Sequence, residues 1–269
     1  MKTGLFRIIS ICIINFVINY LLLFPLGLIK YLSTLDLRMF GLVGFLVSGI
    51  PAIATIIFYK LIDRKKIRSL GFTFNRKDVM FSIASIASTV LLVMIVTILA
   101  SNLGVVSASW NVEVFSEIGL YLSFFWVFLA WFIAAFYEEL LFRGYFVANL
   151  SFLSTKKLYV VSSIIFMVFH IFKGLDPISI LTLMIISCVY LYVYLKSGSL
   201  FPSIFAHSIF NFATSNLIGS SDISLLKFSG DLGLLMLVII VLYIVVTLIL
   251  TKLFYRNSTQ IAPMFIHQK

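Results

Sequence analysis

Residues 136–146 read FYEELLFRGYF. Two adjacent glutamates, Glu138 and Glu139, and one arginine, Arg143, interrupt an apolar and aromatic run that extends from Leu120 to Leu150. A helix needs roughly 20 apolar residues to cross a bilayer, and this run exceeds that. A charge at the centre of such a helix costs about 2.5–3.5 kcal/mol on insertion scales, so it usually faces a partner or a cavity. Glu139 and Arg143 stand four residues apart, on one helix face, where they can pair. Glu138 is turned about 100° from its neighbour by helical geometry. The stretch therefore predicts a buried ion pair and, beside it, a carboxylate with no local partner. The plain alternative is a charge cluster that locks helices together.

The rest of the chain agrees with a membrane setting. Its 269 residues are 62% hydrophobic and 11% charged, with a mean hydropathy of +1.14. A soluble domain carries about 25% charged residues. Backbone polar groups in hydrocarbon must be satisfied internally, and long unbroken apolar runs select helices over a barrel. The expected fold is an all-α integral membrane protein, a bundle of about eight transmembrane helices. The spans are read as Leu5–Ile29, Met39–Tyr59, Val79–Ala100, Leu120–Leu150, Leu158–Phe172, Ile178–Leu195, Leu200–Ile218 and Leu232–Leu253. The first is read as an uncleaved span, because its apolar run exceeds a signal-peptide core and no A-x-A-like site follows. The whole chain, 1–269, is one polytopic domain with no repeat.

Basic residues give an orientation. Lys2, Arg7, the seven between Lys60 and Lys77, Lys156, Lys157, Lys196, Lys252, Arg256 and Lys269 fall on one side of this topology. Only Lys30, Arg38, Lys173 and Lys227 fall on the other. By the positive-inside rule both termini are cytoplasmic, in a multi-pass protein of the cell membrane. The net charge of +10 is thus a topology signal, and no nucleic-acid partner is expected. The Lys60–Lys77 loop is placed to lie on anionic lipid headgroups. Cys12 and Cys188 sit in apolar runs and read as small buried hydrophobes, without disulfide or metal spacing.

Of three histidines, His267 lies in the polar C-terminal tail. His170 and His207 lie in predicted spans five and seven. A lone intramembrane histidine is more often a hydrogen-bonded core residue than a catalyst. Two of them beside an unpaired glutamate point to chemistry. Asn211 follows His207 by four residues and shares its face, and Phe166 precedes His170 by four and can pack under its ring. Asn15 and Asn19 show the same spacing in span one and are read as helix packing. One carboxylate, two imidazoles and one amide suit hydrolysis of an acyl bond. Glu138 would be general base on a water that His170 helps to orient. His207 and Asn211 would donate hydrogen bonds to the developing oxyanion. The same residues also suit a second chemistry, zinc bound by Glu138, His170 and His207 with water in the fourth position. Against zinc, each ligand comes from a different span and no HExxH pattern is present. A serine protease lacks its nucleophile elbow and an aspartyl dyad lacks intramembrane aspartates. A proton-coupled transporter lacks an inverted repeat.

Glu138-Glu139-x-x-x-Arg143, Phe166-x-x-x-His170 and His207-x-x-x-Asn211, in that order on separate apolar helices, resemble the CPBP family. These are the CAAX-protease and bacteriocin-processing membrane proteins, also called the Abi family. The resemblance covers the core from 120 to 218. It implies an eight-helix bundle with a polar cavity open to the cytoplasm, and endoproteolysis near the C-terminus of a lipidated or hydrophobic peptide or protein. It implies a water-activating pair in Glu138 and His170, oxyanion donors in His207 and Asn211, and a supporting pair in Glu139 and Arg143. No catalytic cofactor is expected, although the family was long labelled metalloprotease. Some relatives are linked to bacteriocin self-immunity, so the alternative is a non-catalytic immunity or peptide-binding protein.

Overall fold

The computed structural model describes residues 2–23, 37–111, 118–170, 176–219 and 224–257. His267 and the expected span ends beyond Leu23 and His170 lie outside the described residues, as do Lys30, Lys173 and Lys269. Eight α-helices of 13 residues or more follow one another among the described residues. They are α1 (Lys2–Leu23), α2 (Leu37–Leu61), α3 (Arg76–Asn102), α4 (Ile118–Glu139), α5 (Thr155–His170), α6 (Pro177–Ser197), α7 (Leu200–Phe212) and α8 (Leu232–Tyr255). After α4 the chain continues as a π-helical segment, Leu140–Phe146, and a last turn, Val147–Asn149. A second π segment, Ala213–Leu217, follows α7.

Among the described residues, six helical segments are long and apolar enough to cross a membrane: Gly4–Leu22, Gly41–Leu61, Arg76–Asn102, Phe124–Asn149, Pro177–Ser197 and Leu232–Tyr255. The protein is thus a multi-pass membrane protein, and six of the eight expected spans meet this measure among the described residues. The two that do not meet it are α5, of which 16 residues up to His170 are described, and α7, whose 13 α-helical residues continue as the π segment Ala213–Leu217. For α7 the reason is its position. Nine of its residues, including Ser203, His207 and Ser208, are buried, and it packs on α3, α4 and α6. A helix enclosed by other helices has no lipid thickness to match.

The helices show the reverse of soluble amphipathicity. Phe6, Phe16, Ile83, Leu91 and Leu253 are exposed on the outer faces of α1, α3 and α8. The inner face of α3 carries Ser82, Ser85, Thr89 and Thr97. Small and hydroxylated residues at contacts let membrane helices approach closely. Helix ends are set by local chemistry. Asn75 and Asp78 form a capping box at α3, and Asp176 caps α6 ahead of Pro177. Ser199 caps α7, which gives a use to the serines of the Lys196–Ser203 stretch. Each side-chain cap of this kind contributes about 1 kcal/mol.

One end of the bundle gathers the start of α1, the end of α2, the start of α3 and the end of α8. Arg7 Nε meets Asp63 Oδ1 at 3.0 Å, and Tyr255 donates to Asp78 at 2.8 Å. Burial raises the Asp63 carboxyl above its ordinary pKa, opposed by a hydrogen bond from Tyr145 and by the charges of Arg7 and Lys65. At this end Gly71 adopts φ 92°. A Cβ there would lie 2.8 Å from Tyr194 Cε2 and 3.2 Å from the Leu200 amide nitrogen. Gly71→Ala is expected to cost at least about 1–2 kcal/mol from the left-handed backbone alone, read as a lower Tm in detergent.

The opposite end carries a small sheet that the sequence reading did not expect. β1 (Val106–Trp110) pairs antiparallel with β3 (Leu226–Gly230), with Val106 opposite Gly230 and Trp110 opposite Leu226. β2 (Ile218–Gly219) runs parallel to β3 on its other edge. Leu226 and Phe228 alternate inward, and the Asn111 amide donates to the Ser224 carbonyl at 3.0 Å. The fold is therefore the expected α-helical membrane bundle, with a small three-stranded cap at one end.

Candidate active site

Glu138 lies near the middle of the Phe124–Asn149 span. The helix changes to π geometry immediately after Glu139. A π turn accommodates an extra residue, re-aims the side chains around it and is frequent at functional sites. Leu70 and Leu200 pack beside Gly144 within it, where a Cβ would be in ordinary van der Waals contact with both.

Glu139 and Arg143 pair as their spacing predicts. Arg143 Nη1 lies 3.1 Å from Glu139 Oε1, both side chains fully buried. Arg143 Nη2 donates to the Ser187 carbonyl and hydroxyl, each at 3.2 Å. Its guanidinium lies over the Phe166 ring at 4.6 Å and the Tyr190 ring at 5.6 Å. Cation–π contact of this kind gains about 2 kcal/mol when desolvated.

Glu139 has a second partner. His207 Nδ1 donates to Glu139 Oε1 at 2.9 Å. The His207 ring stacks on Tyr190 at 4.6 Å with an interplanar angle of 21°. Tyr190 is held in turn by Tyr243, whose hydroxyl meets that of Tyr190 at 3.3 Å and donates to the Ala206 carbonyl at 2.8 Å. His170 Nδ1 donates to the Phe166 carbonyl at 2.8 Å. Phe166 packs on that imidazole at 4.5 Å, as the four-residue spacing suggests.

These bonds fix both tautomers. A carbonyl and an ionised carboxylate only accept, so Nδ1 carries the proton in each ring. Each neutral imidazole then presents an Nε2 lone pair. Both Nε2 atoms lie near one atom. Glu138 Oε2 lies 3.8 Å from His170 Nε2 and 3.7 Å from His207 Nε2. These separations exceed a direct hydrogen bond, and Glu138 Oε2 is buried without a hydrogen-bond partner among the described residues. Three acceptors thus converge on one small space, which suits an occupant that brings protons.

Asn211 is half-buried one turn beyond His207. Among the described residues its side chain has no hydrogen-bond or ionic partner, so its amide donors are uncommitted. Two imidazoles and a carboxylate are zinc-type donors, and metal-bound histidines carry their second N–H on an oxygen just as these do. Among the described residues, however, no group of three His, Cys, Asp or Glu is placed to hold a metal ion.

A cavity of about 540 Å³ opens beside Glu138 and His170. Its far wall is α1, with Cys12, Ile13, Asn15, Phe16 and Asn19. Both cysteines are free and half-buried rather than buried. The sequence reading missed three contributors to the site: Ser187 and Tyr190 of α6, and the α1 wall. For α6 the signal was weak but present. Ser187 and Tyr190 are three apart, and so share a face.

Residues 120–213 match the family described as type II CAAX prenyl endopeptidase Rce1-like. This segment is Rce1-like. The CPBP, or CAAX-protease, family read from the three motifs is the family that matches. No curated protein and no solved structure matches the chain. The Rce1-like segment contains Glu138, Glu139, Arg143, Phe166, His170, Ser187, Tyr190, His207 and Asn211. The α1 wall lies outside it, which is why motif reading alone did not reach that wall.

Proposed function

We propose that the chain is an intramembrane endopeptidase that hydrolyses a peptide bond near the C-terminus of a hydrophobic or lipidated peptide or protein. One observation carries this reading: the buried, unpartnered Glu138 Oε2 faces the Nε2 atoms of His170 and His207, all three residues within the Rce1-like segment. A water in that space donates one proton to Glu138 and one to His170 Nε2. Glu138 takes the proton as the water oxygen attacks the carbonyl carbon. The carbonyl electrons move to oxygen, and the uncommitted Asn211 amide donates to the resulting oxyanion. His207 Nε2 joins it as a donor only in the imidazolium form, since its Nδ1–H is given to Glu139. Collapse of the intermediate expels the amine, which leaves with the proton held by Glu138. Glu139, Arg143, Ser187 and Tyr190 keep His207 in place.

In this reading the cavity opens toward the cytoplasm, both termini are cytoplasmic and the bilayer is that of the cell. Lys60, Arg64, Lys66, Arg68, Arg76 and Lys77 are exposed around one loop. They contact anionic headgroups, each contributing about 1 kcal/mol near such a surface.

The test compares protein termini in membranes of cells producing wild-type chain or Glu138→Ala at matched levels. New C-terminal ends seen only with wild type are expected. Their absence, with both proteins inserted, would replace proteolysis by a peptide-binding or bacteriocin-immunity role.

A further inference from the structure

The α1 wall of the cavity has a polarity that packing alone does not require. Asn15 is 1% exposed. Its Nδ2 donates to Thr55 Oγ1 at 3.2 Å. The Thr55 hydroxyl proton is committed to the Pro51 carbonyl at 2.8 Å, so Thr55 can only accept from Asn15. That fixes the amide, with its nitrogen toward α2 and its oxygen the other way. Asn15 Oδ1 has no hydrogen-bond partner among the described residues, and neither has Asn19 Oδ1, although both atoms are buried. Both residues line the cavity that contains Glu138 and His170. The packing role expected from sequence accounts for Asn15 Nδ2 and leaves both oxygens unexplained. A buried acceptor without a donor costs roughly 1–3 kcal/mol.

The spacing says what satisfies them. Four helical residues rise about 6 Å. Two residues of an extended strand, whose N–H groups point to the same side, span about 6.6–6.8 Å. Of the other cavity walls, Ile13, Phe16, Phe142, Val168 and Phe169 are apolar, and Tyr137 adds a hydroxyl beside Asn15. Of these, Ile13, Phe16, Val168 and Phe169 are exposed on the outer surface. The cavity is therefore continuous with the lipid face between α1 and α5.

We infer that Asn15 and Asn19 form a substrate-binding rail: their side-chain oxygens accept alternate backbone N–H groups of an extended peptide that enters from the bilayer beside Glu138. The ligand class is an extended hydrophobic or lipid-bearing peptide, recognised by its backbone. An alkyl chain alone has no donor to offer. The inference rests on the proteolytic reading for its substrate and adds the residues that hold that substrate.

The experiment uses the full chain in nanodiscs with a fluorescent farnesylated peptide and the same peptide N-methylated at two alternate residues. Binding is measured by anisotropy in the Glu138→Gln background, where cleavage does not interfere. Asn19→Leu is the principal variant, because Asn19 gives up no hydrogen bond seen among the described residues. Its expected effect is a Kd raised about tenfold, the loss of one buried hydrogen bond. N-methylation at both residues is expected to raise Kd about a hundredfold when Asn19 is present and only about tenfold further once it is leucine, because the bond to Asn15 is then the one left to lose. Equal Kd values for the two peptides, or no binding of either, would overturn the rail. The two readings fail separately. Asn19-dependent binding of a peptide that wild type never cleaves retains the rail and removes proteolysis. Glu138-dependent cleavage with unchanged binding in Asn19→Leu does the opposite.

Discussion

Glu138→Gln is expected to lower proteolysis about 10³-fold while the bundle keeps its stability. The magnitude is that of a lost general base, for which 10²–10⁴-fold is typical. Glutamine fills the same volume but cannot take a proton from water at neutral pH. The structural cost is small, because Glu138 Oε2 gives up no hydrogen bond among the described residues and its side chain is 22% exposed. The isosteric change at the neighbouring position behaves differently. Glu139→Gln removes the charge that holds Arg143 and His207, so it loses stability together with activity. Cleavage of a quenched fluorescent farnesylated peptide, measured beside Tm for both variants, separates the two. A Glu138→Gln protein that cleaves at the wild-type rate would remove Glu138 from the chemistry.

The two adjacent glutamates show how far the sequence could be read. Their opposite fates follow from one fact of helix geometry, the 100° between consecutive side chains. Spacing alone pairs Glu139 with Arg143 and leaves Glu138 apart, and that is the arrangement found. Phe166 under His170 follows from the same rule. What spacing cannot supply is which helices stand next to each other. The bond from His207 to Glu139 joins residues 68 apart, and nothing local to either encodes it. The three-motif resemblance made up for this within residues 120–213, since a family pattern records long-range neighbours.

Outside that segment the reading thinned. Span positions were legible, because apolar runs of span length have few other uses. The expected Met39–Tyr59 and Leu232–Leu253 fall within two residues at each end of α2 and α8. The cap strands were not legible. Val106–Trp110 and Leu226–Gly230 are five residues each, too short and too mixed to distinguish from loops beside 20-residue helices. The π segments had no signal in the sequence. Asn15 and Asn19 were read as packing, which describes the Asn15–Thr55 bond and misses the cavity on the other side of α1. An amide presents two kinds of polar atom in two directions, and a helical wheel assigns it only one.

Arg143→Met is expected to be the most destabilising single change in the site, by roughly 3–5 kcal/mol, the range for a buried ion pair that loses one partner. Methionine retains much of the packing volume over Phe166 and Tyr190, so the loss isolates the charge. Glu139 would then remain fully buried with only the His207 N–H against it, and the Ser187 carbonyl would lose its donor. The double variant Glu139→Gln/Arg143→Met tests the mechanism of that loss. A buried pair replaced whole by neutral groups is often close to neutral in stability, so the second substitution is expected to restore most of the Tm in detergent. Activity is not expected to return with it. A neutral amide in place of the Glu139 carboxylate holds the His207 Nδ1–H more weakly, and the Nε2 lone pair facing Glu138 loses its fixed direction. Recovery of stability without recovery of rate would assign the pair to positioning His207. Recovery of both would make it a packing device, and recovery of neither would mean that the cost lies in volume rather than charge.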